Sequence, residues 1–152
     1  MLIKIIITTV IIGMITVANT VAQPFPSTLK VKDPWTKNQL MEPAALAALI
    51  SDPKSPKPVI FNIGVVDNIK GARNMGAASE ELTLRKFKKA LSTLPKSTTV
   101  VVYCGCCPFS PCPNIRPAFK TLQAAGFTNA RLLNLQTNLK TDWISKGYPI
   151  EK

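Results

Sequence analysis

The chain contains no histidine in 152 residues. That absence excludes Cys-His and Ser-His nucleophile pairs, zinc sites that use imidazole, and ordinary histidine pH switching. Acidic residues are also scarce, 8 against 19 lysines and arginines, for a formal charge of +11. Asp67 and Glu80 have no paired carboxylate nearby in sequence, so acid-base work by two carboxylates has no visible basis. There is no phosphate-loop motif, heptad or internal repeat. The length allows one modest domain and excludes two with cores of their own. Any catalyst here works with cysteine, carboxylate, lysine, arginine or backbone.

The N-terminus reads as a targeting segment. Lys4 supplies a positive charge, Ile5 to Val17 is nearly all apolar or small, and Thr16 to Ala22 turns small and polar. This is the order of a secretory signal peptide over residues 1–22. Thr20-Val21-Ala22 sets cleavage before Gln23, with a second candidate after Ala18. The alternative is an uncleaved helix anchor, which would be the only membrane contact, but the run is short for a span of about 20 residues. Either way the domain is expected in the periplasm or secreted, where disulfides form. Loss of Lys4 leaves a mature chain of 23–152 with charge +10.

Residues 23–39 form a lead-in with Lys30, Lys32 and Lys37, and a domain is expected over 40–152. The dense basic cluster, Arg85, Lys86, Lys88 and Lys89, alternates with Leu82, Leu84, Phe87, Ala90, Leu91 and Leu94. That pattern predicts a helix with a solvated face beside a core stripe. No nucleic-acid motif accompanies it, so no nucleic acid is expected as a partner, and a monomer is expected. Trp35 and Trp143 read as packing residues.

Periodicity gives an α/β rhythm. A helix is predicted from Glu42-Pro43 to Ile50, a strand over Val59–Ile63, and a turn over Asn68–Ala72. A helix follows over Glu80–Leu94 and then the strongest strand, Thr98–Tyr103, β-branched throughout its centre. Asn114 is predicted to N-cap a helix that runs to Ala125 and ends at Gly126. Arg131–Leu135 reads as a strand and Lys140–Lys146 as a last helix. The alternation predicts one α/β domain with a mostly parallel sheet and helices on both faces. Ligands of such sheets bind at the carboxyl ends of strands.

The end of the strongest strand carries all four cysteines: Cys104, Cys106, Cys107 and Cys112, with Pro108, Pro111 and Pro113 among them. A cysteine after a buried strand and before a helix N-terminus is placed for thiolate chemistry, since backbone N–H groups and the helix dipole lower its pKa. Cys104 is the expected nucleophile. Gly105 would allow close backbone approach, and Arg116 in the helix's first turn could add positive charge.

Several segments lie in the order of a rhodanese-like domain, which the chain resembles from about Leu40 to Ile150. They are Ile60-Phe61-Asn62, Asn68-Ile69-Lys70-Gly71-Ala72-Arg73-Asn74, Val101-Val102-Tyr103-Cys104, Leu122 to Phe127, and Trp143 with Gly147-Tyr148-Pro149-Ile150. The resemblance implies a sulfurtransferase or persulfide carrier. Cys104 would become a persulfide and pass sulfur from a sulfur-containing anion to a thiol acceptor, with no cofactor. Departures from the family pattern are Asn62-Ile63-Gly64 in place of Asp-x-Arg, Gln136-Thr137 in place of Gly-Gly, and a longer loop with three extra cysteines.

Three readings of the four cysteines stand side by side. Cys104 carries sulfur or redox chemistry with the others resolving it. A disulfide from Cys112 to Cys106 or Cys107 staples the loop and leaves Cys104 free. Alternatively Cys104, Cys106, Cys107 and Cys112 hold zinc or cuprous copper in a non-catalytic module.

Overall fold

The computed structural model describes residues 32–152. The expected signal peptide and the first part of the lead-in lie outside the described residues. Among the described residues no helix is long and apolar enough to cross a membrane.

Among the described residues five short strands form one sheet, and every strand pair in it is parallel. They are β1 (Leu40–Met41), β2 (Val59–Asn62), β3 (Ala72–Asn74), β4 (Val100–Tyr103) and β5 (Ala130–Leu133), in the order β1-β5-β4-β2-β3. Among the described residues there are four α-helices: α1 (Pro43–Ser51), α2 (Glu81–Ser92) and α3 (Ile115–Ala124), which each join two strands, and α4 (Leu139–Asp142), which follows β5. The α/β class with a parallel sheet is as the rhythm of the sequence predicts.

β4 is central because all four of its residues are apolar or aromatic and all are fully buried. A strand buried on both faces reads as a continuous apolar run. Its side chains alternate between two cores. Val100 and Val102 face a layer with Phe61, Phe87, Leu91, Ala118, Phe119 and Leu122, under α2 and α3. Val101 and Tyr103 face Leu46, Ile60, Leu139 and Trp143, under α1 and α4.

α3 buries Ile115, Ala118, Phe119 and Leu122, the i, i+3, i+4, i+7 stripe of one helix face. It ends where expected. Gly126 takes φ +77°, and the N–H groups of Gly126 and Phe127 donate to the carbonyls of Gln123 and Leu122, closing the last turn. In α2 the basic cluster is exposed while Phe87 and Leu91 enter the core. Leu82, read as part of that core stripe, is 73% exposed instead.

Two strands escaped the periodicity argument. β1 has two residues, and β3 (Ala72-Arg73-Asn74) carries one apolar side chain at the sheet edge. Neither offers the apolar run or alternation that marks a strand. The final helix is also broken, into α4 and a 3-10 turn over Ile144–Lys146, with Trp143 between them at φ −128° and ψ −63°. Trp143 is fully buried, and its Nε1 donates to the Pro149 carbonyl at 3.0 Å. Anchoring that ring takes precedence over helical continuity.

The lead-in from Lys32 onward is part of the domain. Trp35 is buried between Phe119 and Phe109, with ring centroids 5.9 Å from each.

Candidate functional site

Along the chain, β2 leads outward to β3 on one side, and β4 leads outward to β5 on the other. The loops leaving β2 and β4 therefore part at the carboxyl ends of adjacent strands, where ligands of open parallel sheets bind. The loop after β4 is the cysteine loop.

The facing loop, residues 63–69, is held from both strands. Asn62 is fully buried. Its Oδ1 accepts from the Gly64 N–H at 3.0 Å, and its Nδ2 donates to the Val66 carbonyl at 2.8 Å and to Asn68 Oδ1 at 3.0 Å. The Tyr103 hydroxyl accepts from the Ile69 N–H at 2.9 Å and donates to the Asp67 carbonyl at 3.1 Å. Burial pushes the Tyr103 phenol up, so it stays neutral. Thus the loop is rigid on the side that meets Cys104. Gly64 is the contact: a Cβ there would lie 2.6 Å from Cys104 Sγ and 2.7 Å from the Cys104 carbonyl oxygen. No larger residue fits against the thiol.

Gly105 is equally constrained. Its φ is +78°, and a Cβ would sit 2.8 Å from Leu139 Cβ. The Leu139 N–H donates to its carbonyl at 2.9 Å. The close approach expected of Gly105 is therefore to the start of α4. Farther along, the Phe109 N–H donates to the Leu135 carbonyl at 3.1 Å, so the cysteine loop is tied to the segment after β5 at two points.

All four cysteines are free thiols. Cys104 and Cys112 are buried, Cys107 is half-buried, and Cys106 is exposed. The Sγ atoms of Cys104 and Cys106 are 3.3 Å apart, as are those of Cys106 and Cys107. Asn114 Nδ2 donates to Cys104 Sγ at 3.2 Å. The Cys112 thiol, its sulfur within 4.8 Å, and the Cys106 thiol and N–H add their pull on the Cys104 sulfur. These donors, Cys112 foremost and Asn114 next among them, outweigh burial and hold the Cys104 thiol down at about 5. Its partners move the opposite way. Burial, and then donation to Cys104, push Cys106 up to about 12; donation to Cys104, and then burial, push Cys112 up. One thiolate sits at the centre of the cluster and its neighbours carry protons toward it.

Two expected roles are redistributed. Asn114 occupies the N-cap position of α3, but its side chain makes no capping bond. Nδ2 faces Cys104, and Oδ1 accepts from the Ser79 N–H at 2.9 Å. Arg116 pairs with Asp33 at 2.5 Å, and its guanidinium lies 5.3 Å over the Trp35 ring. Its charge is committed to the lead-in, and the donors to the thiolate come from Asn114 and the cysteines. Gly64 and Asn62 went unrecognised as site residues. Their signal was the Asn62-Ile63-Gly64 triplet directly after an apolar strand.

The sulfurs of Cys104, Cys106 and Cys112 lie within 4.8 Å of one another. As an all-sulfur donor set they could hold a soft, thiophilic ion. Beside them, a cavity of about 420 Å³ is lined by Val65, Val66, Cys106, Leu139, Lys140 and Ile144, among others. Val65 and Ile144 are two of the large apolar residues left exposed on the described surface.

No family model matches the chain, and no curated protein matches it. Two solved structures resemble its fold: a cysteine-to-serine variant of EanB in complex with hercynine, and a double cysteine-to-alanine variant of EanB with hercynine. Each superposes with a TM-score of 0.54 at 15% sequence identity, over 75% of this chain. The match spans 27% of the EanB chain, about a quarter of its length. At this identity the likeness is one of fold, a parallel α/β domain that recurs within a longer protein.

Proposed function

We propose that this protein is an exported, rhodanese-type sulfurtransferase or persulfide carrier with Cys104 as its nucleophile. The observation that carries the reading is a buried cysteine at the carboxyl end of the central strand, accepting hydrogen bonds from Asn114 Nδ2 and from its own loop. A thiolate is the nucleophilic form of cysteine. Held down at about 5, Cys104 is ionised at neutral pH without a histidine base. The thiolate attacks the outer, sulfane sulfur of a donor such as thiosulfate, the donor's S–S bond breaks, and sulfite leaves with the bonding pair. Cys104 then carries the sulfane sulfur as a persulfide until a thiol acceptor attacks the terminal sulfur.

Incubation of the reduced protein with thiosulfate is expected to add about 32 Da to the peptide that contains Cys104. Cys104→Ser is expected to abolish both the mass shift and any turnover. Full turnover in Cys104→Ser would move the chemistry to another cysteine and defeat the reading.

A second reading has its own observation, the three sulfurs within 4.8 Å of one another. In that reading the loop holds a soft metal ion and Cys104 is a ligand. Metal analysis of protein purified without chelator, combined with thiol counting, separates the two. A tightly held ion that removes three or more reactive thiols supports the module.

A further inference from the structure

The four cysteines differ in what each can reach. Cys104 is 1% exposed and faces its own loop. Cys112 is equally buried. Cys106 is exposed, lies with its sulfur 3.3 Å from that of Cys104, and is the cysteine that lines the 420 Å³ cavity beside Lys140 and Ile144. It is thus in contact with the buried sulfur on one side and with that cavity on the other. A persulfide formed on Cys104 would have a thiol already within bonding approach of its inner sulfur. An external acceptor would have to pass Cys106 to reach it.

We propose that Cys106 resolves the Cys104 persulfide internally, releasing sulfide and leaving a Cys104–Cys106 disulfide that external thiols then reduce at Cys106. The inference rests on the sulfurtransferase reading and changes its product from a transferred sulfur to sulfide. In the first step the Cys106 sulfur attacks Sγ of Cys104. The persulfide S–S bond breaks, a new S–S bond joins Cys104 to Cys106, and hydrosulfide departs with the proton that Cys106 gives up. The sulfane sulfur is reduced by two electrons and the two cysteines are oxidised by two. In the second step a low-molecular-weight thiol attacks the exposed Cys106 sulfur and Cys104 leaves as its thiolate. A second thiol attacks the outer sulfur of the mixed disulfide, freeing Cys106 as a thiol and yielding the external disulfide. The net reaction converts one sulfane sulfur and two thiols into one sulfide and one disulfide.

Exposure sets the direction of the second step. Cys106 is the sulfur of the pair that solvent reaches, and a leaving thiol of low pKa departs faster. The donors gathered around Cys104 stabilise it as the leaving group. Gly105 makes the short link between the two cysteines workable. It takes φ +78° and packs on Leu139, which leaves the chain turned back on itself between Cys104 and Cys106.

The test follows mass and gas on the full reduced protein, given thiosulfate or glutathione persulfide with and without excess reduced glutathione. Without glutathione, wild type is expected to release about one sulfide per chain and to end with a loss of about 2 Da, mapped by non-reducing peptide analysis to Cys104–Cys106. Adding glutathione should convert this single event into turnover. Cys106→Ser should stall with about 32 Da added at Cys104 and release sulfide at least tenfold more slowly. A wild-type protein that keeps the added sulfur stably, or that closes Cys104 onto Cys112, overturns the internal step while the sulfurtransferase reading stands. Absence of any modification at Cys104 with either donor defeats both.

Discussion

The hydrogen bond from Asn114 Nδ2 to Cys104 Sγ sets a measurable quantity, the pH at which the nucleophile ionises. Asn114→Asp keeps the size of the side chain and an oxygen to accept from the Ser79 N–H, but removes the donor. A hydrogen bond to a charged group contributes about 1.5–3 kcal/mol, and one pKa unit corresponds to about 1.36 kcal/mol. Loss of this donor is therefore worth roughly one to two units, moving Cys104 from about 5 to about 6–7. The carboxylate places a like charge close to the thiolate and pushes the value further up. The assay is the thiolate's ultraviolet absorbance against pH on the reduced protein, with Cys104→Ser as the blank. Asn114→Ala isolates the donor from the added charge and should fall between wild type and Asn114→Asp. A midpoint in Asn114→Asp within about 0.3 units of wild type would show that Cys112 and the Cys106 N–H suffice, and would refute the role given to Asn114.

Stability of the reduced protein should depend on pH through the same cluster. Cys104 ionises near 5 when folded against an ordinary value of 9, so its contribution is full above 9 and is lost as pH falls toward 5. Cys106, raised to about 12, contributes below 9 and loses that contribution as pH rises toward 12. Urea midpoints should therefore rise from about pH 6 to about pH 9 and fall beyond it, and a flat profile, or one unchanged by Cys104→Ser, would count against the cluster. Gly64→Ala forces a methyl to within 2.6 Å of Cys104 Sγ and 2.7 Å of its carbonyl oxygen. It is expected to cost about 1–3 kcal/mol by thermal unfolding and to slow persulfide formation, and a variant as stable as wild type would show that the two loops can separate freely. Tyr103→Phe strands the buried Ile69 N–H and should cost about 1–3 kcal/mol. A change below about 0.5 kcal/mol would mean that water replaces the hydroxyl.

The α/β class, the central strand and the cysteine loop at its end were legible from residue order, because an apolar run such as Val100–Tyr103 between two helical patterns fits a parallel strand covered on both faces. The stripe of α3 and its glycine stop were legible for the same kind of reason, since both are set by local periodicity and backbone freedom. The edge strands β1 and β3 were not, because their pairing is determined by neighbours distant in sequence. Within the site, local pattern pointed to the four-cysteine loop and to its backbone N–H groups, but not to the Asn114 side chain beside Cys104. A helix-start asparagine ordinarily caps, yet Asn114 turns its amide to Cys104, ten residues back, because the loop folds the sulfur into its reach. Arg116 had the right charge and position in sequence, but Asp33 and Trp35 from the lead-in pair with it first. Which sulfur is buried and which is exposed followed from how the loops after β2 and β4 close on each other. That is a property of packing between distant segments, and linear spacing does not encode it.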